Sequence, residues 1–397
     1  MPNPNSLLTK ATLLLVSTLT VMAGATIAPS LPAMQDYFAA VGNVELWVRL
    51  VLTIPALFIV IGSPIAGMIV DRLGRKPLLI FAAALYGFAG SSGFILNSLP
   101  TILFGRALLG FAVAGIMVSA TTLIADYYVG QARANFMGLQ AGFMGLGGVL
   151  FLSGGGYLAN SNWRLPFLIY LLAWLLLPLI ILSLYEPRRI NPEPSAETLP
   201  NSDRNPNLPV PIKLLTLVFG IALLTQIIFY LIPVQLPFYL RSLANATPGQ
   251  SGMAIAFCTL FSAFASIGYG KVKAKLSFVS ILPIIFGLLG IGYGIIGLAG
   301  SYGLVLVGLG IAGLGLGLLM PNLNVWVSSE VPDAMRGRAL GGLTTFFFLG
   351  QFLSPIVTQP VSQQVGLGMT YTLAGGLLLV LGVVFAGLRQ QVTAITS

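Results

Sequence analysis

The sequence contains no histidine, a single cysteine (Cys258) and very little charge, with Asp, Glu, Lys and Arg together making up 7% of its 397 residues. Without histidine the chain lacks the commonest general base and a frequent metal ligand. One cysteine cannot form a disulfide within the chain. These absences leave an enzyme little chemistry to work with, and they predict neither a metal site nor a bound cofactor.

Apolar residues are abundant instead, at 56% of the chain, with 47 glycines and a mean hydropathy of +0.94. This composition is too hydrophobic for a soluble globular domain. Runs of about twenty apolar residues are long enough to cross a bilayer as helices. The sequence therefore predicts an all-α membrane protein with twelve transmembrane helices, at 11–32, 46–70, 78–97, 100–122, 136–158, 165–185, 212–240, 250–270, 277–298, 302–325, 339–361 and 367–388.

One segment interrupts this pattern near the middle of the chain. Residues 186–211 are rich in proline, asparagine, serine and charge, which is typical of a linker. We expect an N-terminal six-helix bundle at 1–185 and a C-terminal six-helix bundle at 212–397. We expect this linker to lie in the cytoplasm. Because each half has an even number of helices, both termini are then expected in the cytoplasm as well.

The basic residues are distributed unequally between the two sides of this topology. The side predicted to be cytoplasmic holds fifteen of the nineteen Lys and Arg residues, and the other side holds Arg49, Arg164 and Arg241. Such asymmetry is the positive-inside rule, so the net charge of +9 orients the protein in a lipid bilayer and does not indicate nucleic acid. The fifteen are Lys10, Arg72, Arg75, Lys76, Arg133, Arg188, Arg189, Arg204, Lys213, Lys271, Lys273, Lys275, Arg336, Arg338 and Arg389.

The two halves also resemble each other. A shift of 203 positions superposes Gly67 on Gly270 and Arg133 on Arg336, each arginine being followed five residues later by glycine. Because the two arginines fall in equivalent loops, the pattern favours a parallel internal duplication.

The loop between the second and third predicted helices carries the densest motif, G-x-x-x-D-R-x-G-R-K-P at residues 67–77. This motif resembles the loop signature of the major facilitator superfamily, and the stretches 162–167, 315–324 and 336–341 are also similar to that family. The resemblance covers essentially the whole chain and is nearest to the twelve-helix drug and metabolite proton antiporters. It implies two six-helix bundles that rock around a central substrate path, and a monomer. The short loops and termini favour a bacterial inner membrane.

The resemblance further implies a latch. In the family, the carboxylate that matches Asp71 ties its loop to the eleventh helix when the transporter is open outward. Here the expected partner is either the N-terminus of that helix, near Arg336–Gly341, or Arg133. The alternative is that these residues are ordinary charges that set the topology. The residues assigned to the latch are Gly67, Asp71, Arg72, Gly74, Arg75, Arg133 and Arg336.

Candidates for coupling to protons are few. Arg106 is the charge predicted well inside a helix, where an unpaired guanidinium is costly, and its surroundings resemble the fourth-helix motif of the family, which is often linked to proton coupling. The alternative for Arg106 is a helix-packing role. The carboxylate candidates for proton coupling are Asp36 and Glu45, and both lie outside the midplane of the bilayer. The i,i+4 spacing of Glu45 and Arg49 favours an ion pair between these two side chains.

The fifth helix only partly matches the exporter signature of the family, G-P-x-x-G-G. Residues 151–156 read Phe-Leu-Ser-Gly-Gly-Gly, so leucine stands in the place of the proline and phenylalanine in the place of the first glycine. This departure weakens the assignment to the antiporters.

Polar and aromatic residues inside the helices are candidates for the substrate path, because buried amides need partners or a wet cavity. The alternative is hydrogen bonding between helices that only holds the bundle together. A path with amides, methionine and aromatic rings suits neutral or amphipathic solutes. The candidates are Met22, Gln140, Phe143, Gln226, Tyr230, Gln235, Asn322, Asn324 and Gln351.

The sequence thus predicts a transporter that exports amphipathic small molecules, such as drugs or a secreted metabolite like a siderophore, with protons as the expected driving partner. Uptake or facilitated diffusion of a small organic solute is the alternative, which the missing midplane carboxylate favours. A membrane enzyme or a sensor has little support, since no catalytic constellation or interaction domain is visible.

Overall fold

The computed structural model describes residue 4 and residues 6–187 and 211–387. Twelve helical segments in these ranges are long and apolar enough to cross a membrane, so the all-α fold with twelve transmembrane helices is confirmed. We number them as spans 1 to 12: Leu7–Tyr37, Val44–Leu73, Arg75–Phe94, Leu99–Tyr127, Gly130–Ser161, Leu165–Ser183, Ile212–Ala244, Pro248–Lys273, Phe278–Gly297, Tyr302–Glu330, Met335–Val365 and Leu367–Gly387.

Local signals explain several helix ends. The Ser6 hydroxyl accepts a hydrogen bond from the Thr9 backbone N–H at the start of span 1. Thr247 and Gln250 form a capping box at the start of span 8. Several spans are longer than expected: span 5 begins at Gly130 and not near residue 136, because polar residues at its start continue the helix beyond the apolar run.

Four spans are not continuous α-helices. Span 1 consists of the helices Leu7–Ala25 and Leu31–Tyr37, joined through a 3-10 turn, and span 7 breaks at Tyr230. Spans 3 and 6 each include a 3-10 segment. Spans 1 and 7 are equivalent in the two halves, so the interruption recurs at matching places.

The internal repeat is visible in the architecture. The helices Leu99–Tyr127 and Tyr302–Glu330 start and end 203 positions apart, since 302 − 99 and 330 − 127 both equal 203. Spans 2, 3 and 4 pack together as spans 8, 9 and 10 do, and the pairs 1–5 and 3–6 correspond to 7–11 and 9–12. Each half is therefore a bundle of six helices with the same internal arrangement.

The two bundles meet mainly where span 5 packs on span 8 and span 2 on span 11. We call the end of the molecule that carries Arg72–Lys76 the loop end, and the end that carries Asp36 and Glu45 the far end. Most of the linker expected at 186–211 lies outside the described residues, so its character and the exact bundle boundaries stay predictions.

Candidate substrate cavity and gates

A cavity of about 340 Å³ lies between the two bundles. Its wall combines residues of the first bundle, such as Leu52 and Met144, with residues of the second, such as Phe229 and Phe348. Among the described residues that line it there is no Asp, Glu, Lys or Arg. The wall is therefore apolar and uncharged, which suits a hydrophobic or amphipathic ligand.

A small number of polar groups interrupt this wall. Of the substrate-path candidates, Tyr230 and Gln351 line the cavity, and Thr20, Thr259 and Ser262 also contribute to it. Thr20 and Thr259 donate to carbonyls of their own helices. Within the described part of the chain, the Tyr230 and Ser262 hydroxyls and the Gln351 amide have no hydrogen-bond partner. These three groups are available to a ligand.

The other path candidates are not among the residues that line this cavity, and their role in the path stays a prediction. Gln140 donates to the Ser17 hydroxyl within the first bundle. The Asn322 side chain bonds to Tyr269 and to the Phe278 carbonyl within the second. Burial between helices, and not a wet path, satisfies these amides. The candidates outside the lining are Met22, Gln140, Phe143, Gln226, Gln235, Asn322 and Asn324.

Gln235 instead belongs to a ring of hydrogen bonds that joins the bundles at the far end. Arg49 Nε donates to Gln235 Oε1 (2.9 Å), and Gln235 Nε2 donates to Gln359 Oε1 (2.8 Å). Gln359 Nε2 in turn donates to the Glu45 carboxylate (2.6 Å). Glu45 and Arg49 are both on span 2, so the chain of bonds closes on itself. We call these four residues the far-end ring.

The ring contradicts one expectation. The Glu45–Arg49 ion pair is wrong: Arg49 Nη1 donates to the backbone carbonyl of Glu45 (2.7 Å), and the carboxylate bonds to Gln359 and Gln363. Arg49 is buried, with 4% of the residue exposed, and its guanidinium lies over the Phe238 ring. The amides of the second bundle provide partners that spacing within one helix does not reveal.

Further contacts close the far end. Asp36 forms a salt bridge to Arg241 of the second bundle (2.7 Å), with both side chains more than half exposed. The Asn160 side chain accepts from the Gly249 N–H (2.8 Å). A Cβ built on Gly156 would lie only 2.8 Å from the Pro248 carbonyl oxygen. Spans 5 and 8 are therefore in backbone contact at this end.

The bundles are separate toward the loop end. A Cβ built on Gly138 or Gly142 of span 5 would meet no atom within 4 Å, and the same is true of Gly268 on span 8. Contact between these helices begins at Gly145, whose built Cβ would lie 3.5 Å from Ala263. The structure is thus closed at the far end and open at the loop end.

The loop that carries the densest motif is held inside the first bundle. Arg75 Nε pairs with Asp126 (3.0 Å), and the backbone N–H groups of Arg75 and Lys76 donate to the Glu186 carboxylate (2.8 and 2.7 Å). Gly74 has φ of +101°, and a Cβ there would lie 2.6 Å from Glu186, so only glycine fits. Glu186 was missed from sequence because it lies more than 100 positions away. The latch between Asp71 and span 11 stays a prediction, as do the roles of Gly67, Arg72, Arg133 and Arg336.

Replacing Glu186 with leucine should destabilise the protein by about 1 kcal/mol, since the first N–H groups of span 3 lose both their acceptor and a negative charge. Thermal unfolding of the detergent-solubilised variant measures this loss. Glu186→Gln keeps one acceptor oxygen and should be intermediate. Equal melting temperatures for the leucine variant and the wild type would show that this cap contributes nothing.

Arg106 is buried in span 4, with 1% of the residue exposed. Its Nε donates to the Val51 carbonyl (3.0 Å) and its Nη2 to the Ala23 carbonyl (2.8 Å), while its guanidinium lies 5.2 Å from the centre of the Tyr170 ring. Nη1 has no partner among the described residues. Ala23 itself lines the cavity. An arginine without a carboxylate therefore lies directly behind the cavity wall.

Two six-helix bundles around an uncharged central cavity, closed at one end and open at the other, define a membrane transporter of the alternating-access type. Comparison with known proteins agrees. The family model described as Major Facilitator Superfamily matches residues 13–288 and 218–394. The chain belongs to this superfamily. It is a multi-pass membrane transporter of small molecules and not an enzyme.

Curated relatives place it near the drug efflux group. It is 26% identical over 374 residues to "Multidrug resistance protein MdtG" of Citrobacter koseri, which covers 91% of this chain and 90% of the relative. It is 24% identical over 352 residues to "Multi-drug resistance efflux pump PmrA" of Streptococcus pneumoniae, with coverage of 87% and 88%.

A solved D-xylose–proton symporter has the same fold, with a TM-score of 0.80, 16% identity and coverage of 95% of this chain and 96% of the symporter.

Proposed function

We propose that this chain exports neutral or amphipathic small molecules across a bacterial inner membrane in exchange for protons, as a monomer with both termini in the cytoplasm. The observation that carries the proposal is the central cavity: about 340 Å³, contributed by both bundles, and uncharged along its described lining. A dianionic or phosphorylated cargo needs buried cations that this wall does not offer. Its few unpaired polar groups, on Tyr230, Ser262 and Gln351, suit a mostly apolar cargo with few polar atoms.

Two further observations support the direction and the energy source. The loop end holds most of the positive charge, so we place it in the cytoplasm, and an open loop end admits cargo from there. The curated relatives named for multidrug resistance favour efflux. For proton coupling we propose Arg106, behind the cavity wall, with Glu45 in the far-end ring and Asp36 in its salt bridge to Arg241 as the carboxylates.

The test uses inside-out vesicles with an acidic interior and a pH-sensitive dye. A panel of neutral, cationic and dianionic amphipathic compounds is added in turn, with vesicles that lack the protein as the control. We expect neutral and amphipathic compounds to dissipate the gradient only when the protein is present. Dissipation by the dianions alone would overturn the assigned cargo class.

Uptake or facilitated diffusion is the second candidate, because no carboxylate lines the described cavity wall. A coupled exporter commonly keeps a titratable acid near its cargo. The same vesicles decide between the two. Saturable flux of a compound without any gradient, together with no response of the dye, favours the facilitator.

Gln351→Leu should change selectivity and not overall transport. Loss of the amide removes a hydrogen bond worth about 1 kcal/mol, so a cargo that accepts it should lose about fivefold in apparent affinity, and an apolar cargo should be unaffected. Competition assays with matched cargo pairs measure the difference. Asn324→Leu, which removes an exposed amide that bonds its own helix, is the control. An equal effect of Gln351→Leu on both cargoes would show that this amide does not contact them.

A further inference from the structure

A groove of about 500 Å³ lies at the loop end of the second bundle, apart from the central cavity. Lys271 and Lys275 supply its cations, and its other lining residues are Val272, Leu276, Ile284 and Leu318. The groove thus combines two ammonium groups with an aliphatic wall formed from spans 8, 9 and 10.

Among the described side chains, no ion pair neutralises the positive charge of this groove. Glu330 and Asp333 are the acidic residues between positions 211 and 387, and neither Lys271 nor Lys275 forms an ion pair among the described side chains. Lys273, between them, lies over the Phe278 ring at 4.0 Å. The equivalent loop of the first bundle is different, because there Arg75 is paired with Asp126.

The aliphatic wall continues below the lysines into the membrane. Ile284 is 41% exposed, and it lies six residues after the start of span 9, which is about 9 Å along the helix. A surface at this depth faces acyl chains. A free anion would use the lysines but would gain nothing from this wall.

We propose that the groove binds an anionic phospholipid of the leaflet at the loop end, with its headgroup phosphate on Lys271 and Lys275 and an acyl chain along Leu276 and Ile284. Basic pockets between transmembrane helices bind acidic headgroups in this way. The lipid would contact spans 8, 9 and 10 of one bundle, outside the path taken by cargo.

Native mass spectrometry of the detergent-solubilised full chain, titrated with phosphatidylglycerol or phosphatidylcholine, tests this site. We expect preferential binding of phosphatidylglycerol, and a loss of about fivefold for each lysine and about 30-fold for Lys271→Gln with Lys275→Gln. The matched control is Lys213→Gln with Arg338→Gln, which removes two charges from residues outside the groove and should leave the affinity unchanged.

A third variant and a competing anion distinguish a lipid site from a general charge effect and from a simple anion site. Ile284→Ser should weaken phosphatidylglycerol binding, because the acyl chain loses its wall. If the control double variant lost as much affinity for phosphatidylglycerol as Lys271→Gln with Lys275→Gln, net charge alone would explain the effect, and the proposed site would be wrong. Inorganic phosphate that displaces the lipid at matched ionic strength would show a simple anion site, which also overturns the proposal.

Discussion

Gly156→Leu should hold the far ends of the two bundles apart and reduce transport by about 10-fold or more. The Cβ alone would lie 2.8 Å from the Pro248 carbonyl oxygen and 3.1 Å from the Gly252 Cα, and both are backbone atoms that cannot turn away. Overpacking of this kind costs about 1–3 kcal/mol. Because the cost falls only on the closed far end, it lowers the population of that state by about 5- to 150-fold.

Gly154 offers a matched control on the same helix. A Cβ at Gly154 would meet no atom within 4 Å, so Gly154→Leu should transport at the wild-type rate. Initial rates of cargo flux measure both variants, with expression and melting temperature checked in parallel. The contact is not a gate if Gly156→Leu is as active as Gly154→Leu.

Accessibility of the cavity gives a second measurement for the same substitution. Cys258 is the chain's one cysteine and is buried, so a Cys258→Ser background accepts a reporter at Thr20 in the cavity wall. In the Gly156→Leu protein, Thr20→Cys should react faster with an impermeant maleimide supplied from the far end. Unchanged labelling beside lost transport would point to misfolding and not to a gate held open.

Arg106→Met should reduce transport by about 100-fold or more while leaving thermal stability unchanged or slightly higher. The guanidinium donates to two carbonyls, and hydrogen bonds from a charged group are worth about 1.5–3 kcal/mol each. Replacing a buried charge by an apolar side chain of similar volume is, however, often neutral or stabilising. A loss of transport without a loss of thermal stability would therefore indicate a functional arginine and not one that only packs helices.

Arg164→Met is the control for this experiment. Arg164 also donates to carbonyls, those of Phe94 and Leu96, but it lies outside the cavity wall near the far end. Its loss should lower the melting temperature and leave transport intact. Arg106→Lys keeps the charge without the planar fork and should recover part of the activity. Full transport by Arg106→Met would leave the residue a packing role only.

The fold was predictable because its cause is local. Twenty consecutive apolar residues are visible in any window, and a bilayer leaves a spanning segment little choice but to be a helix. The repeat was visible in the same way, through Arg133 and Arg336. The interruption of span 7 at Tyr230 was missed, since residues 212–240 read as one apolar run. Pro233, which cannot donate to the Phe229 carbonyl one turn earlier, was a local signal for it.

The site was less predictable because its determinants are pairings between distant residues. Arg49 bonds Gln235, 186 positions away, and Glu45 bonds Gln359, 314 positions away. Polar residues inside spans were reasonable path candidates, yet Gln235 and Asn322 are fully buried in contacts between helices. The cavity wall is instead built from residues such as Leu52, which no sequence signal distinguishes from a lipid-facing leucine.

The uncharged cavity wall also has an electrical consequence. As the bundles rock, the described wall carries no formal charge through the membrane field. Over a complete cycle the protein returns to its starting state, so the charge moved is that of the cargo and, under the proposed exchange, that of the proton. A neutral cargo exchanged for one proton moves one elementary charge, and the membrane potential then contributes about 2.3 kcal/mol per 100 mV to each cycle. Exchange of a monovalent cation for one proton would be electrically silent.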